Sequence, residues 1–455
     1  MPMNPAVQAV IKAITRLQPD VANSWNSQRK VEDAAGKLTV ADPRCRIDEI
    51  TATADDGYEI PLRVFTPLDI DFSLKRGLHV NEDHRGTILY LHGGGWANGD
   101  VEFYSDACMR TALKLERRVI AVDYRRSPEY RFPTALEDCY ATARQLFAGT
   151  LIRDADPTNI VLMGDSAGGN LTAAVSLLAR ERGDFHPRTQ ILLYPLVYND
   201  HSETTLFDSV RDNGKDYILT RQAIVDYIEL YLRTPEDFHD SRFAPLIATS
   251  LANLPRTLVI TAEYDPLRDE GEAFAARLDT EGNEVACFRM NDGVHGYFLY
   301  PSVLSLVRDT YRLIAHFLDG DPLPKPGDRP WLTLLGTDQT TSASSTPPKP
   351  AEPGRPSSAS PPPWPTRWTL PPFSERSTGP WRCSPASTCA CAAGFSGTTS
   401  CPRRSRPASS PRRCPSASIC TRAPKACSSA SPTTSGALTW RCPISSPTVG
   451  ARWSF

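Results

Sequence analysis

The residues best suited to chemistry in this 455-residue chain begin with a serine between a strand-like run and a helical run. The sequence of Gly164–Gly168 is GDSAG, which fits the G-x-S-x-G pattern of a nucleophile elbow. Small residues on both sides permit the sharp turn that presents Ser166 at the start of a helix. The pattern predicts that Ser166 is the nucleophile of an acyl-transfer reaction.

A serine hydroxyl is a weak nucleophile, so it requires a general base that a carboxylate orients. Asp265 lies in the first turn after the strand-like run TLVITAEY, and His295 lies in a glycine-flanked loop after the next run, EVACFRM. The order Ser166, Asp265, His295 is that of the α/β-hydrolase arrangement. We therefore predict that His295 is the base and that Asp265 is the acid that orients it.

A run of three glycines, Gly93–Gly95, directly follows another strand-like run and His92. Glycines leave the backbone N–H groups unshielded, which suits an oxyanion hole. We predict a hole formed by Gly93, Gly94 and Gly95 together with Ala167, in which the amides of Gly94 and Gly95 converge with that of Ala167. His92 is predicted to anchor this loop rather than to act as a base.

Three other carboxylates are alternatives for the orienting acid, namely Glu263, Asp269 and Asp292. Glu263 is predicted to point away from the site, Asp269 to cap a helix, and Asp292 to shape the loop of the histidine. The remaining histidines, among them His201, have no partner pattern and are predicted to lie at the surface.

The elements that must position these residues alternate between short apolar runs and helical runs from about residue 46. Two runs joined at Asp56-Gly57 predict an antiparallel hairpin, and six more, rich in Val, Ile and Leu, predict strands buried on both faces. We therefore expect an α/β fold over residues 46–320, with an eight-stranded, mostly parallel sheet between helices. Residues 1–45 and 199–220 interrupt the alternation and are predicted to form a small cap over the strand ends, where ligands of such sheets bind.

Residues 321–455 differ in composition from the rest of the chain. Within them, residues 330–455 carry 14 of the 50 Lys and Arg, 3 of the 52 Asp and Glu, 22 of the 41 Pro, 8 of the 12 Cys and none of the 8 His. Aliphatic residues are too sparse there to offset the entropy of ordering, so this tail is predicted to be disordered. A GC-rich gene read out of frame would give the same composition, and this alternative stays open.

Other features of the sequence exclude several classes of protein. The amphipathic N-terminal run lacks the apolar stretch of a signal peptide, and no run reaches the roughly 18 apolar residues of a spanning helix, which predicts a cytoplasmic protein without a membrane span. Wide spacing predicts reduced thiols at Cys45, Cys108, Cys139 and Cys287. No motif requires a metal, an organic cofactor or a nucleic-acid partner, so none is expected.

With these motifs together, the chain resembles the hormone-sensitive-lipase-like family of bacterial esterases and lipases over about residues 40–320. In that family HGGG and GDSAGG mark the oxyanion loop and the nucleophile elbow, and this chain has both, at His92–Gly95 and Gly164–Gly169. The segment 122–138 is similar to the family segment that joins the two motifs. It departs from the usual residues of that segment at Arg126, Ser127 and Tyr130. The resemblance implies the α/β-hydrolase fold with an N-terminal cap.

Motifs and resemblance together predict a carboxylic ester hydrolase that acts on small, short-chain acyl esters through a covalent acyl-enzyme. An amidase or formamidase is an alternative, because the same groups serve both reactions. A ligand-binding protein of this fold without turnover is a second alternative, and the presence of His295 argues against it. The oligomeric state stays open.

Overall fold

The computed structural model describes residues 3–18, 20–71, 79–81, 85–324 and 332–334. The chain divides into two units, residues 1–348 and 349–455, and all the described residues belong to the first. The predicted tail therefore lies outside the described residues, except at 321–324 and 332–334. Its predicted disorder stays a prediction.

The described residues form eleven strands, numbered in chain order. They are β1 (Cys45–Thr53), β2 (Glu59–Pro67), β3 (Asp69–Asp71), β4 (His79–Asn81), β5 (Thr87–Leu91), β6 (Arg118–Val122), β7 (Ile160–Asp165), β8 (Thr189–Leu193), β9 (Arg256–Tyr264), β10 (Val285–Val294) and β11 (Leu332–Leu334). The α-helices are α1 (Pro5–Leu17), α2 (Val21–Gly36), α3 (Ser105–Leu115), α4 (Thr134–Phe147), α5 (Ala167–Arg182), α6 (Asp208–Asn213), α7 (Arg221–Tyr231), α8 (Arg268–Thr280) and α9 (Ser305–Asp319).

Nine of these strands form the main sheet, in the order β1-β2-β6-β5-β7-β8-β9-β10-β11. The six strands from β6 to β10 in this order are parallel to one another, and β1 and β2 form the predicted antiparallel hairpin. The predicted sheet of eight mostly parallel strands is confirmed. The ninth strand, β11, was not expected, because three residues within a proline-rich segment give no strand signal; it pairs antiparallel with β10.

Helices cover both faces of the sheet, as the unbroken apolar character of its strands predicted. In β5, Ile88 and Tyr90 pack in the core that α3 and α9 cover, whereas Leu89 and Leu91 pack in the core that α4 and α5 cover. Successive side chains of a strand point to opposite faces, so a strand covered on both sides is largely apolar. All five residues of β5 are buried.

The segment before the sheet contains two helices, α1 within the amphipathic N-terminal run and α2 after it. Asn4 caps α1 by accepting a hydrogen bond from the amide of Ala6, and Asp20 caps α2 in the same way through the amide of Ala22. No helix within the described ranges is both long and apolar enough to cross a membrane.

Candidate active site

The predicted site residues follow strands that end at one edge of the sheet. Ser166 follows β7, Asp265 follows β9 and His295 follows β10, while His92 follows β5. Parallel strands bring their carboxyl ends to the same edge, so residues distant in sequence meet there. The fold thus gathers all four strand ends into one region.

Ser166, His295 and Asp265 form a continuous chain of hydrogen bonds. His295 Nε2 lies 2.8 Å from Ser166 Oγ, and His295 Nδ1 lies 2.7 Å from Asp265 Oδ2. The Asp265 side chain is fully buried, and its other oxygen accepts a hydrogen bond from the amide of Leu267 at 2.9 Å. A carboxylate at Nδ1 favours the tautomer with the proton on that atom, which leaves Nε2 free to accept the serine proton.

The alternative carboxylates have other partners. Glu263 accepts a hydrogen bond from the amide of Asp292 at 2.7 Å, and Asp269 accepts one from the amide of Ser209 at 2.7 Å. The predicted capping role of Asp269 is wrong, because α8 begins at Arg268 and Asp269 lies within its first turn. Of the four carboxylates considered for the acid, Asp265 is the one whose side chain bonds His295.

The turn that carries Ser166 has the backbone conformation of a nucleophile elbow. Ser166 has φ 53° and ψ −122°, a strained conformation for a residue with a side chain, and α5 begins at the next residue, Ala167. A Cβ atom at Gly168 would lie 1.9 Å from the carbonyl oxygen of Leu91. The close approach of the helix to β5 therefore requires glycine at this position.

The glycine loop, by which we mean His92–Gly99, passes beside Ser166. Gly94 and Gly95 line the same cavity as Ser166 and Ala167, and Gly94 has φ +107°, which favours glycine. The amide of Gly93, in contrast, donates to Asp165 Oδ1 at 3.0 Å and to the hydroxyl of Tyr104 at 3.1 Å. These bonds remove Gly93 from the predicted set of oxyanion donors, and Gly94, Gly95 and Ala167 remain.

Asp165 holds the near end of this loop, a role that the sequence did not reveal. Its buried carboxylate accepts hydrogen bonds from the hydroxyls of Tyr90 at 3.0 Å and Tyr104 at 3.1 Å, in addition to the amide of Gly93. Burial raises the pKa of Asp165 to about 6. Asp165 was visible only as the variable residue of G-x-S-x-G, so no pattern pointed to these partners.

His92 lies inside the protein and bonds its own loop. Its Nδ1 lies 2.8 Å from the carbonyl oxygen of Gly93, and its ring stacks on Tyr124 with 4.2 Å between ring centroids. Burial lowers the pKa of His92 to about 4, so the ring is neutral at neutral pH. These contacts agree with an anchoring role.

His201 does not lie at the surface, contrary to the prediction. It is buried, and its Nε2 lies 2.7 Å from Glu270 Oε2. Glu270 also accepts a hydrogen bond from the amide of Val197 at 2.7 Å, so the pair fixes the segment after β8. The two residues are 69 positions apart, and neither lay in a pattern that named the other.

A cavity of about 790 Å³ opens at Ser166 and His295. Both predicted cap segments contribute to its wall, through residues such as Gln28 and Glu32 of α2 and Ile218 before α7. Apolar side chains form another part of the wall. They are Leu196, Leu219, Ile224, Leu267 and Leu299.

The described residues offer no cluster of three or more His, Cys, Asp or Glu side chains that could hold a metal ion. The four cysteines within the described ranges are buried free thiols, as the sequence predicted. Burial raises the pKa of Cys108 and Cys287, which disfavours the reactive thiolate. Neither of these two thiols is therefore suited to act as a nucleophile.

Comparison with known proteins agrees with the fold. Residues 88–299 match a family model described as the alpha/beta hydrolase fold. The chain is 35% identical over 308 residues to an arylesterase of Saccharolobus solfataricus, covering 66% of this chain and 94% of that protein. It is 30% identical over 281 residues to an ethyl acetate hydrolase of Pseudomonas putida, covering 61% of this chain and 84% of that protein. A solved structure of a hyperthermophilic esterase from the archaeon Pyrobaculum calidifontis superimposes with a TM-score of 0.62 at 32% identity, covering 70% of this chain and 99% of that one.

Proposed function

This chain belongs to the hormone-sensitive-lipase-like esterases of the α/β-hydrolase fold, and on that basis we propose that it hydrolyses small carboxylic esters through Ser166, His295 and Asp265. It is a serine hydrolase of the esterase and lipase class. The observation that carries the proposal is the hydrogen-bonded chain from Ser166 Oγ through His295 to the buried Asp265 carboxylate.

The proposed reaction has two half-reactions joined by an acyl-enzyme. Ser166 Oγ attacks the ester carbonyl carbon while His295 Nε2 takes its proton, and the resulting oxyanion accepts hydrogen bonds from the amides of Gly94, Gly95 and Ala167. When the tetrahedral intermediate collapses, His295 returns the proton to the leaving alkoxide as the carbon–oxygen bond breaks. Water then attacks the acyl carbonyl carbon while His295 Nε2 takes one of its protons. The bond between that carbon and Ser166 Oγ breaks, His295 returns the proton to Oγ, and the carboxylic acid leaves with Ser166 regenerated.

We expect a preference for short acyl chains. The wall of the cavity comes in part from α2 and from the segment before α7, which line the same cavity as the nucleophile and limit its size. One relative is named for the hydrolysis of an acetyl ester, which supports this preference. Acetyl to hexanoyl esters should therefore react faster than long-chain triglycerides.

Two variants test the proposed nucleophile and base. Ser166→Ala and His295→Ala should each lower kcat on p-nitrophenyl acetate by several orders of magnitude, about 10⁶ in a well-studied serine hydrolase. Both should keep the melting temperature near that of the parent. If Ser166→Ala keeps more than about a tenth of the parent's kcat, Ser166 is not the nucleophile.

A substrate series tests the reaction class and the size of the pocket. Rates on p-nitrophenyl esters of increasing chain length report the depth of the pocket. A parallel measurement on N-formylkynurenine separates ester from formamide hydrolysis, because the same residues could serve either reaction. Faster turnover of the formamide would overturn the proposed ester specificity while leaving the roles of the three residues in place.

A further inference from the structure

Two charged side chains of α2 contact the backbone of the glycine loop at its far end, by which we mean Ala97–Gly99. Arg29 Nε donates to the carbonyl oxygen of Ala97 at 2.5 Å, and its Nη2 donates to the carbonyl oxygen of Ser127 at 2.6 Å. Glu32 Oε2 accepts a hydrogen bond from the amide of Gly99 at 2.9 Å. Hydrogen bonds to ionised groups are roughly twice as strong as those between neutral groups. The helix therefore holds the loop at two backbone positions.

A third side chain of α2 binds the residue between these two positions. Asn98 Nδ2 donates to Gln28 Oε1 at 2.6 Å, and the hydroxyl of Tyr227 donates to the same oxygen at 3.3 Å. Gln28 and Glu32 are four residues apart and so lie on one face of the helix. Three successive loop residues, Ala97–Gly99, are thus bonded to α2.

Two of these three residues, Ala97 and Asn98, also bond the peptide group between Gly94 and Gly95. The carbonyl oxygen of Gly94 accepts hydrogen bonds from the amides of Asn98 at 2.8 Å and Ala97 at 3.2 Å. That carbonyl belongs to the planar peptide group that also carries the N–H of Gly95, on the opposite side. Fixing the carbonyl of Gly94 therefore fixes the direction of the N–H of Gly95.

The loop is not suited to hold this conformation by itself. Gly94, Gly95 and Trp96 have φ of 107°, 60° and 57°, and positive φ is a strained conformation for a bulky residue such as Trp96. The near end is held by the bond from the amide of Gly93 to Asp165. The end at Trp96–Gly99 is held by the contacts with α2 and also by Arg126 and Ser127, which donate to the carbonyl oxygens of Gly99 and Trp96. The conformation between the two ends therefore depends on the bond to Asp165 and, in part, on α2.

We propose that α2 is a positioning element for the oxyanion hole, in which Gln28, Arg29 and Glu32 align the N–H of Gly95 through Ala97–Gly99. This inference rests on the proposed function, since it assigns these contacts to the stabilisation of the oxyanion. They act on the transition state rather than on the bound ester. Loss of one contact should therefore lower kcat more than it raises KM.

The test compares alanine variants of Arg29 and Glu32 with alanine variants of neighbouring residues of α2 that do not contact the loop. Arg29→Ala and Glu32→Ala should each lower kcat on p-nitrophenyl acetate by at least about tenfold and leave KM within about threefold of the parent. This loss in kcat is smaller than the 10²–10³-fold loss expected when an oxyanion donor is removed outright. Lys30→Ala and Asp33→Ala are the matched controls and should leave kcat within about twofold. Glu32→Gln keeps an acceptor for the amide of Gly99 and should restore most of the kcat lost in Glu32→Ala.

A second measurement reports on the loop without turnover. Hydrogen exchange of a peptide that covers residues 93–99 should be faster in Glu32→Ala than in the parent and unchanged in Asp33→Ala. If Arg29→Ala does not fold, the comparison of Glu32→Ala with Glu32→Gln decides the question. Unchanged kcat and unchanged loop exchange in Glu32→Ala, or an effect confined to KM, would overturn the inference. A parent chain without activity on any ester would instead refute the proposed function, and the exchange data would still decide whether α2 holds the loop.

Discussion

Replacing Asp265 with asparagine tests the orienting role of the carboxylate most directly. One carboxylate oxygen bonds His295 Nδ1 at 2.7 Å, and the other accepts a hydrogen bond from the amide of Leu267 at 2.9 Å. In Asp265→Asn, the amide of Leu267 requires the carbonyl oxygen of the new side chain, so the NH₂ group faces His295. A donor at that position forces Nδ1 to accept, and the ring proton moves to Nε2.

The wrong tautomer removes the base, because Nε2 then carries a proton and cannot accept one from Ser166. In a serine protease the same change lowers kcat by about 10⁴, which corresponds to about 5 kcal/mol in activation free energy. We expect a loss of that size in kcat and in kcat/KM for p-nitrophenyl acetate near neutral pH. The melting temperature should change by only a few degrees, because the side chain keeps its shape.

Two other variants control for the removal of a nearby carboxylate. Asp269→Asn and Asp292→Asn should retain substantial activity, because neither side chain bonds His295 in the structure; Asp269 bonds the amide of Ser209. The assay is steady-state hydrolysis with thermal unfolding of each variant measured alongside. More than about a tenth of the parent's kcat in Asp265→Asn, or a complete loss in folded Asp269→Asn, would refute the assignment of the acid.

Three further predictions concern stability and the limits of the catalytic unit. His92 has a pKa lowered to about 4 by burial, against about 6.5 when unfolded, so its contribution to stability is full above pH 6.5 and is lost as the pH falls toward 4. Chemical denaturation at pH 7 and at pH 5 gives the decrease in unfolding free energy between the two pH values, and this decrease should be about 2 kcal/mol smaller in His92→Gln than in the parent. An equal decrease in the two proteins would contradict the lowered pKa. Gly168→Ala should lower the melting temperature by at least about 5 °C, because its Cβ would lie 1.9 Å from a backbone oxygen, and an unchanged melting temperature would argue against the close approach of α5 to β5. A chain that ends at Pro348 should keep kcat/KM within about threefold, since the proposed catalytic and oxyanion residues precede Gly296 and the cavity wall named above ends at Leu299. Loss of activity in that chain would show that the tail contributes to the site. A chain that ends at Asp328 loses β11 and exposes the edge of β10, so it should melt at a lower temperature with the same kcat.

Much of the site could be predicted because each motif is local. Ser166 is recognisable from glycines two residues away on either side, and Asp265 and His295 each directly follow a strand. The chain order of the three residues then narrows the possible arrangements. Errors arose where a side chain's partner lies far along the chain, as with His201 and Glu270.

The sequence by itself determined where the strands of the sheet lie and which residues directly follow them, because strand periodicity and turn chemistry depend on neighbours close in the chain. It predicted the sheet, the elbow and the glycine run on that basis. It could not predict β11, whose pairing with β10 joins residues more than 40 positions apart. A short strand is stabilised by the edge that it meets, and the sequence does not state which edge that is.

Only the tertiary structure decided which groups contact one another at the end of the sheet. Ser166 and His295 are 129 positions apart, and Gly93 is 72 positions from Asp165, whose carboxylate accepts the hydrogen bond of its amide. The bond from Gly99 to Glu32 joins residues 67 positions apart. A hydrogen bond requires atoms within about 3 Å and a suitable angle, and those depend on how the strands and helices pack, not on the residues beside each group in the chain.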